Sequence, residues 1–196
     1  ERELTVANYH VDGCHLWEDD PDARERNYRV ALEHLEIAHL LGAKTVRYDT
    51  GGKLEPIPNE QFDYIVAKYQ EYAQFAHDHG FKVGPENHWG LSLIADNMVN
   101  IAKAVDSPAY GILLHIGYWE DGDEPGGDRR LAPYTAHTHV DARTTRNCLE
   151  ERMNILLEAG YEGYWGVEHH STKNEYAEVA YQISEVGMVF GKPTPL

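Results

Sequence analysis

Glu86, His115, His139 and Glu168 each follow a short β-prone run, and His88, Asp141 and His169 lie next to them. Two carboxylates and two imidazoles meeting at one point would form a divalent-cation site. Carboxylate oxygen combined with imidazole nitrogen suits Mn, Co, Zn or Fe better than Ca. No contiguous ligand motif carries this reading, so it depends on the fold bringing the groups together. Taken singly, each residue has a plainer role. His115 closes the run Ile112-Leu113-Leu114, where a lone histidine is as often a core residue bonded to backbone. His137 and His139 share one strand face, so at most one is expected to ligate, with the other packing behind it. His169 and His170 straddle a strand end and are more often non-ligands. Asp141 is more often a structural or substrate-side group. His34, His39, His77 and His79 fall on helical patterns and read as surface residues.

The elements that must position these groups alternate. Strand-like runs at 4–10, 43–48, 81–86, 110–115, 137–141 and 164–168 are each followed by a helical pattern. One helix is expected to start at Pro21, with Leu32, Leu35, Ala38 and Leu41 inward. A second opens at Asn59 or Glu60 and buries Phe62, Ile65, Val66, Tyr69, Ala73 and Ala76. Ser92 is expected to cap a third, with Ile94, Met98, Ile101 and Val105 inward. The acidic, glycine-rich stretch 119–130 reads as a surface loop, with a short turn near 131–134. Leu149, Met153, Leu156 and Leu157 mark a further helix, and Tyr176, Val179, Ala180 and Ile183 mark the last. The tail around Pro193 and Pro195 reads as loosely packed.

Six strand–helix units imply parallel strands joined by right-handed crossovers. No GxGxxG or P-loop follows any strand, which disfavours a doubly wound nucleotide binder. The expected fold is therefore α/β, a (β/α)8 TIM barrel in a single domain spanning 1–196. A full barrel has eight units. With six present and no Met before Glu1, the chain reads as truncated at its N-terminus, lacking about two βα units. In a parallel barrel all the strand ends open on one mouth, where such folds place their chemistry.

The 196 residues carry 17 Lys and Arg against 33 Asp and Glu, a formal net charge of −16. That field repels a phosphate backbone, so nucleic acid is not an expected partner. No run of about 18 apolar residues predicts a membrane span. Cys14 and Cys148 lie far apart and form no CxxC pair, as expected of unpaired thiols in a reducing, cytoplasmic compartment.

The chain resembles the sugar isomerase/epimerase superfamily with the xylose isomerase-like TIM barrel, the AP endonuclease family 2 type. Ala38-His39-Leu40-Leu41-Gly42-Ala43 looks like its A-x-x-L-G-A passage, and Val83-Gly84-Pro85-Glu86-Asn87-His88 like its L-E-N-H strand. His137-Thr138-His139-Val140-Asp141 looks like its H-x-H-x-K-D strand. Residues 159–168 look like its closing A-G-Y-D-G-x-x-x-x-E segment, the most specific of the four. The resemblance implies a metal held by Glu86, His115, His139 and Glu168. His115 stands where the family has Asp, and Tyr118 where it has His. It also implies that Glu86 and Glu168 are the catalytic pair, exchanging a proton with a sugar-like substrate through a metal-stabilised enediolate. His88, Trp89, Tyr118, Asp141, Arg143 and His169 are expected to contact the substrate. The rivals are an inosose-type dehydratase, a zinc-cluster endonuclease acting at abasic sites and a non-catalytic member. A homo-oligomer is left open.

Overall fold

A computed structural model describes residues 4–54, 57–120, 122–170 and 173–191. The tail at Pro193 and Pro195 lies outside them. Six strands follow one another in order: β1 (Asn8–Val11), β2 (Thr45–Tyr48), β3 (Lys82–Gly84), β4 (Ile112–His115), β5 (Thr135–Val140) and β6 (Trp165–Val167). All regular pairings are parallel, β1-β2-β3 and β4-β5-β6. Bridges Val83↔Tyr110 and Glu86↔Leu113 join the two halves into one array. The array curls. β1 and β5 are not neighbours, yet the His10 and His139 rings lie 5.1 Å apart across the interior. The helices pack on one another outside it. Parallel strands curled inside a ring of helices make this a TIM barrel.

The long helices begin and end where local chemistry directs. α1 (Pro21–Leu41) opens with the Asp20 carboxylate accepting the Asp22 N–H, and Pro21 sits in the first turn, where its missing donor costs nothing. α2 (Asn59–His79) stops before Gly80. α1 buries Ala31, Leu35 and Ala38, while Leu32 and Leu41, expected inside, are exposed. α2 buries Ile65, Tyr69, Tyr72, Ala73 and Ala76 as fully as any part of the core. Among the described residues no helix is long and apolar enough to cross a membrane.

Two expectations need correction. Ser92 does not cap α3 (Ala95–Val105). It lies in a short 3-10 turn, Gly90–Leu93, and its hydroxyl accepts the His88 N–H and donates to the Trp89 carbonyl. The stretch expected to be a loop holds α4 (Glu124–Leu131). Asp123 caps it and Pro125 sits in its first turn. Its glycines serve contact rather than flexibility, since a Cβ on Gly127 would lie 2.6 Å from the Trp119 indole. The acid Asp128 is fully buried, where it accepts Gly117 N–H at 2.9 Å and Trp119 Nε1–H at 2.8 Å and pairs with Arg152 at 3.0 Å. The last helix, α7 (Glu175–Val189), forms where expected; it buries Gln182 and Val186 and leaves Tyr176 and Ile183 exposed. Two further helices, α5 (Ala142–Asn147) and α6 (Leu149–Glu158), meet at Cys148; α5 was not expected.

Removing one member of a buried ion pair strands the other charge in the interior. Asp128→Ala is therefore expected to destabilise the fold by about 3–5 kcal/mol, read as a lower urea midpoint with an unchanged m-value.

Candidate metal centre

The centre is built from the C-terminal ends of adjacent strands. Pro85 has no N–H, so the regular β3 ladder stops at Gly84, two residues short of the expected Glu86. The chain stays extended nevertheless. Leu113 N–H donates to the Pro85 carbonyl at 2.9 Å, and Glu86 bridges to Leu113. This brings the Glu86 carboxylate inside at 1% exposure. On β4 and β5, His115 pairs in register with His139, and His139 with Gly166. A Cβ on Gly166 would meet Thr138 O at 2.5 Å and His137 Nε2 at 2.9 Å, so only glycine leaves room for the His137 ring there. Glu168 follows β6, with its N–H bonded to Val140 O.

These four side chains converge. Glu86 Oε1 lies 2.8 Å from His139 Nδ1 and 3.2 Å from His115 Nδ1. Glu168 closes the other side, with Oε1 3.5 Å from His139 Nδ1 and Oε2 3.5 Å from His115 Nδ1. The two imidazoles stand almost perpendicular, with both Nδ1 atoms turned toward the space between the carboxylates. Ligand atoms of Glu86, His115 and His139 all lie within 4.8 Å of one another. The buried Glu168 Oε2 accepts no well-aligned hydrogen bond, although His170 Nε2 lies 3.2 Å and His115 Nδ1 3.5 Å from it. Glu86, His115 and His139 fit a divalent cation in composition and spacing, and the Glu168 carboxylate, outside that group, faces the two imidazoles from the other side.

The electrostatics follow from burial. Burial pushes the Glu86 carboxyl up, but hydrogen bonds from His115 and His139 and the Arg47 charge outweigh it and hold the group far below the usual carboxylate range. For His115, burial works against the proton, yet Asp141 and Glu86 raise its pKa to about 9. His137 and His10 go the other way. Burial, then neighbouring positive charge, lowers each to about 4, so both rings are neutral at pH 7. His137 is buried behind His139 with Nδ1 unpartnered and lies outside the ligand group.

The remaining expected residues are placed unevenly. Tyr118 stacks on the His115 ring at 4.8 Å and is 43% exposed, at the rim of the centre. Asp141 caps α5 through Thr144 N–H at 2.7 Å and keeps Oδ2 4.0 Å from His115 Nε2. His88 offers a ring nitrogen within 4.8 Å of Asp49 and Glu86. Trp89 packs edge-on against His15. His169 contacts Gln182 through Nδ1 at 3.3 Å. Arg143 is tied to Glu124 at 2.9 Å and to the Gly117 carbonyl at 2.8 Å, bracing the chain leaving β4, and it also lines the cavity beside Glu168 and Asp141.

Three buried polar residues were absent from the expected set. Arg47 on β2 donates to Glu86 Oε2 at 2.6 Å and also pairs with Asp12 and Asp49. Asn87 accepts His115 N–H at 2.7 Å and donates to the His115 carbonyl at 2.8 Å, clamping the backbone that carries the ligand. Gln182 donates to the Val140 and Glu168 carbonyls at 3.2 and 3.1 Å, joining the ends of β5 and β6. Arg47 did leave a trace in the sequence: a lone cation in the run Thr45-Val46-Arg47-Tyr48.

A cavity of about 560 Å³ opens beside Glu168 and Asp141, walled by Arg146, His169, His170 and Lys173. A larger hollow of about 730 Å³ lies at the opposite end of the strands, near Lys44, Lys82 and Tyr164, away from the clustered ligands.

Comparison with known proteins agrees with this architecture. The family model for the xylose isomerase-like TIM barrel matches residues 1–185. No curated protein matches the sequence significantly. Among solved structures, a xylose isomerase-like TIM barrel protein from Mycobacterium smegmatis in complex with magnesium superposes with TM-score 0.76 at 16% identity, covering 96% of this chain and 74% of that one. A D-tagatose 3-epimerase-like protein gives 0.75 at 19%, covering 96% and 79%. A probable 3-DHS dehydratase from Bacillus anthracis gives 0.68 at 14%, covering 92% and 75%. The chain belongs to the xylose isomerase-like TIM barrel family.

Proposed function

We propose that the chain holds a divalent cation between Glu86, His115, His139 and Glu168 and moves a proton on the carbon beside a carbonyl of a sugar-like substrate, as an isomerase or epimerase. The observation that carries this reading is the inequality of two carboxylates facing one another across two imidazoles. Glu86 has both oxygens engaged, by Arg47 on one side and the histidines on the other. Glu168 keeps one buried oxygen without a hydrogen bond. A bound cation would supply Lewis-acid polarisation of the substrate carbonyl.

The chain's own groups divide the remaining work. Glu168 takes the proton, because its Oε2 is the acceptor without a hydrogen-bond partner. Glu86, fixed as an anion, is a poor proton store, and this favours return of the proton from Glu168 on the same face to the neighbouring carbon, an aldose–ketose isomerisation; epimerisation would need an acid on the opposite face to reprotonate the original carbon. Tyr118 and the rim of the cavity beside Glu168 would contact the substrate body, with Asp141 orienting the His115 ring. The net charge of −16 argues against a nucleic-acid substrate. A dehydratase is the second reading, favoured by the likeness to a probable 3-DHS dehydratase. It begins with the same proton removal and ends with loss of a β-hydroxyl as water.

Three outcomes are expected. Mn²⁺ at one hundred times its dissociation constant should stabilise the fold by about 2.7 kcal/mol, a shift seen in thermal unfolding, reversed by chelator and abolished in His139→Ala. No shift at any concentration would sink the cation reading. Glu168→Gln should lower kcat by about 10²–10⁴-fold with an unchanged circular dichroism spectrum. Turnover in D₂O should place deuterium on the substrate carbon without change of composition. Loss of water identifies the dehydratase, and near-full activity of Glu168→Gln removes that residue from the chemistry.

A further inference from the structure

Beside the ligand cluster lies a second group of cation-ligating atoms. Asp49, Glu86 and His88 each offer one within 4.8 Å of the others. Asp49 is only 6% exposed, and its buried Oδ1 has no hydrogen-bond partner. Two such groups sharing Glu86 would ordinarily make a two-ion centre with the carboxylate as bridge. The Arg47 guanidinium stands in the way. Its Nη1 sits 2.6 Å from Glu86 Oε2, the oxygen a second ion would need. Its Nε lies 3.6 Å from Asp49 Oδ1, close enough to neutralise the acid but too far to bond it, and that Nε is also unpartnered. Its third nitrogen pairs with Asp12.

Building on the cation reading above, we propose that Arg47 takes the place of a second cation and limits the centre to one ion. Arginine suits this role because it stays charged throughout the working pH range and is weakly hydrated. It cannot leave, as a metal can, and it carries one positive charge where an ion would carry two. It also gives Glu86 Oε2 a permanent partner, which turns Oε1 toward the two histidines. Arg47 is thus a positioning residue acting through Glu86.

The test is the number of Mn²⁺ ions bound per chain, from calorimetric titration of chelator-treated protein with elemental analysis as a check. One ion is expected for the wild type and for Arg47→Lys, which keeps the charge. Two are expected for the neutral variants Arg47→Met and Arg47→Gln, returning to one when Asp49→Asn is added. Two ions in the wild type, or one in a folded neutral variant, overturn the proposal. Unfolding of both neutral variants also overturns it, in favour of a purely structural arginine. A wild type that binds no ion defeats the cation reading itself and is distinguishable from all of these.

Discussion

Glu86 is a carboxylate at 1% exposure, and the interior of the barrel is arranged around keeping it charged. An isolated carboxylate there would cost so much solvation that it would take up a proton instead. It stays ionised because Arg47 from β2, His115 from β4 and His139 from β5 all contact it. One side chain at the end of β3 thereby ties together four strands whose backbones are joined only in neighbouring pairs. The arrangement needs every strand in register, because a one-residue slip turns each of these side chains to the outer face.

Residues that touch nothing at the centre keep the ligands in place. Asn87 binds the peptide of His115 on both sides, so the imidazole leaves a backbone that cannot pivot. Asp128 holds Gly117 and Trp119 just beyond, and Arg143 spans from Gly117 to Glu124. On the far side Gln182 fixes the backbone of Glu168. Ligand geometry is only as good as the shell that orients it. Here Asn87 and Gln182 do so through main-chain carbonyls and N–H groups, which do not titrate.

The strand–helix alternation was legible because it rests on patterns a short window contains: apolar runs, helical spacing, caps and stops. All six strands overlap the runs that place them, most trimmed by one to four residues at an end, while β1 runs one residue further and β5 begins two residues earlier. The four residues proposed as ligands were legible as residues at strand ends, since a polar group closing a buried strand needs a reason. Arg47 and Gln182 were not. Each is polar within an otherwise ordinary run, and its purpose is a partner 39 residues away for Arg47 and 42 for Gln182. The stretch at 124–131 misled for a related reason. Glycine and acid usually signal an exposed turn, whereas Gly127 admits an indole and Asp128 answers a buried arginine. The missing information was tertiary: the groups those residues meet.

The two acids at the centre show how one fold sets chemically identical groups to different tasks. Glu86 and Glu168 both follow strands and both face the same imidazoles. Their surroundings differ in burial, with side chains 1% and 23% exposed, and in the charges beside them. Glu86 is saturated, with a fixed cation behind it, so protonating it would break bonds already made. Glu168 has His170 3.2 Å away on the solvent side, and among the described residues no arginine is paired with it. An acceptor with an unfilled lone pair gains a bond by taking a proton, whereas a filled one loses a bond. Under the proposed reading this is why the first acid serves as an anchor and the second as the mobile proton carrier. Exchanging the two roles would require moving the guanidinium from β2 to a position behind β6.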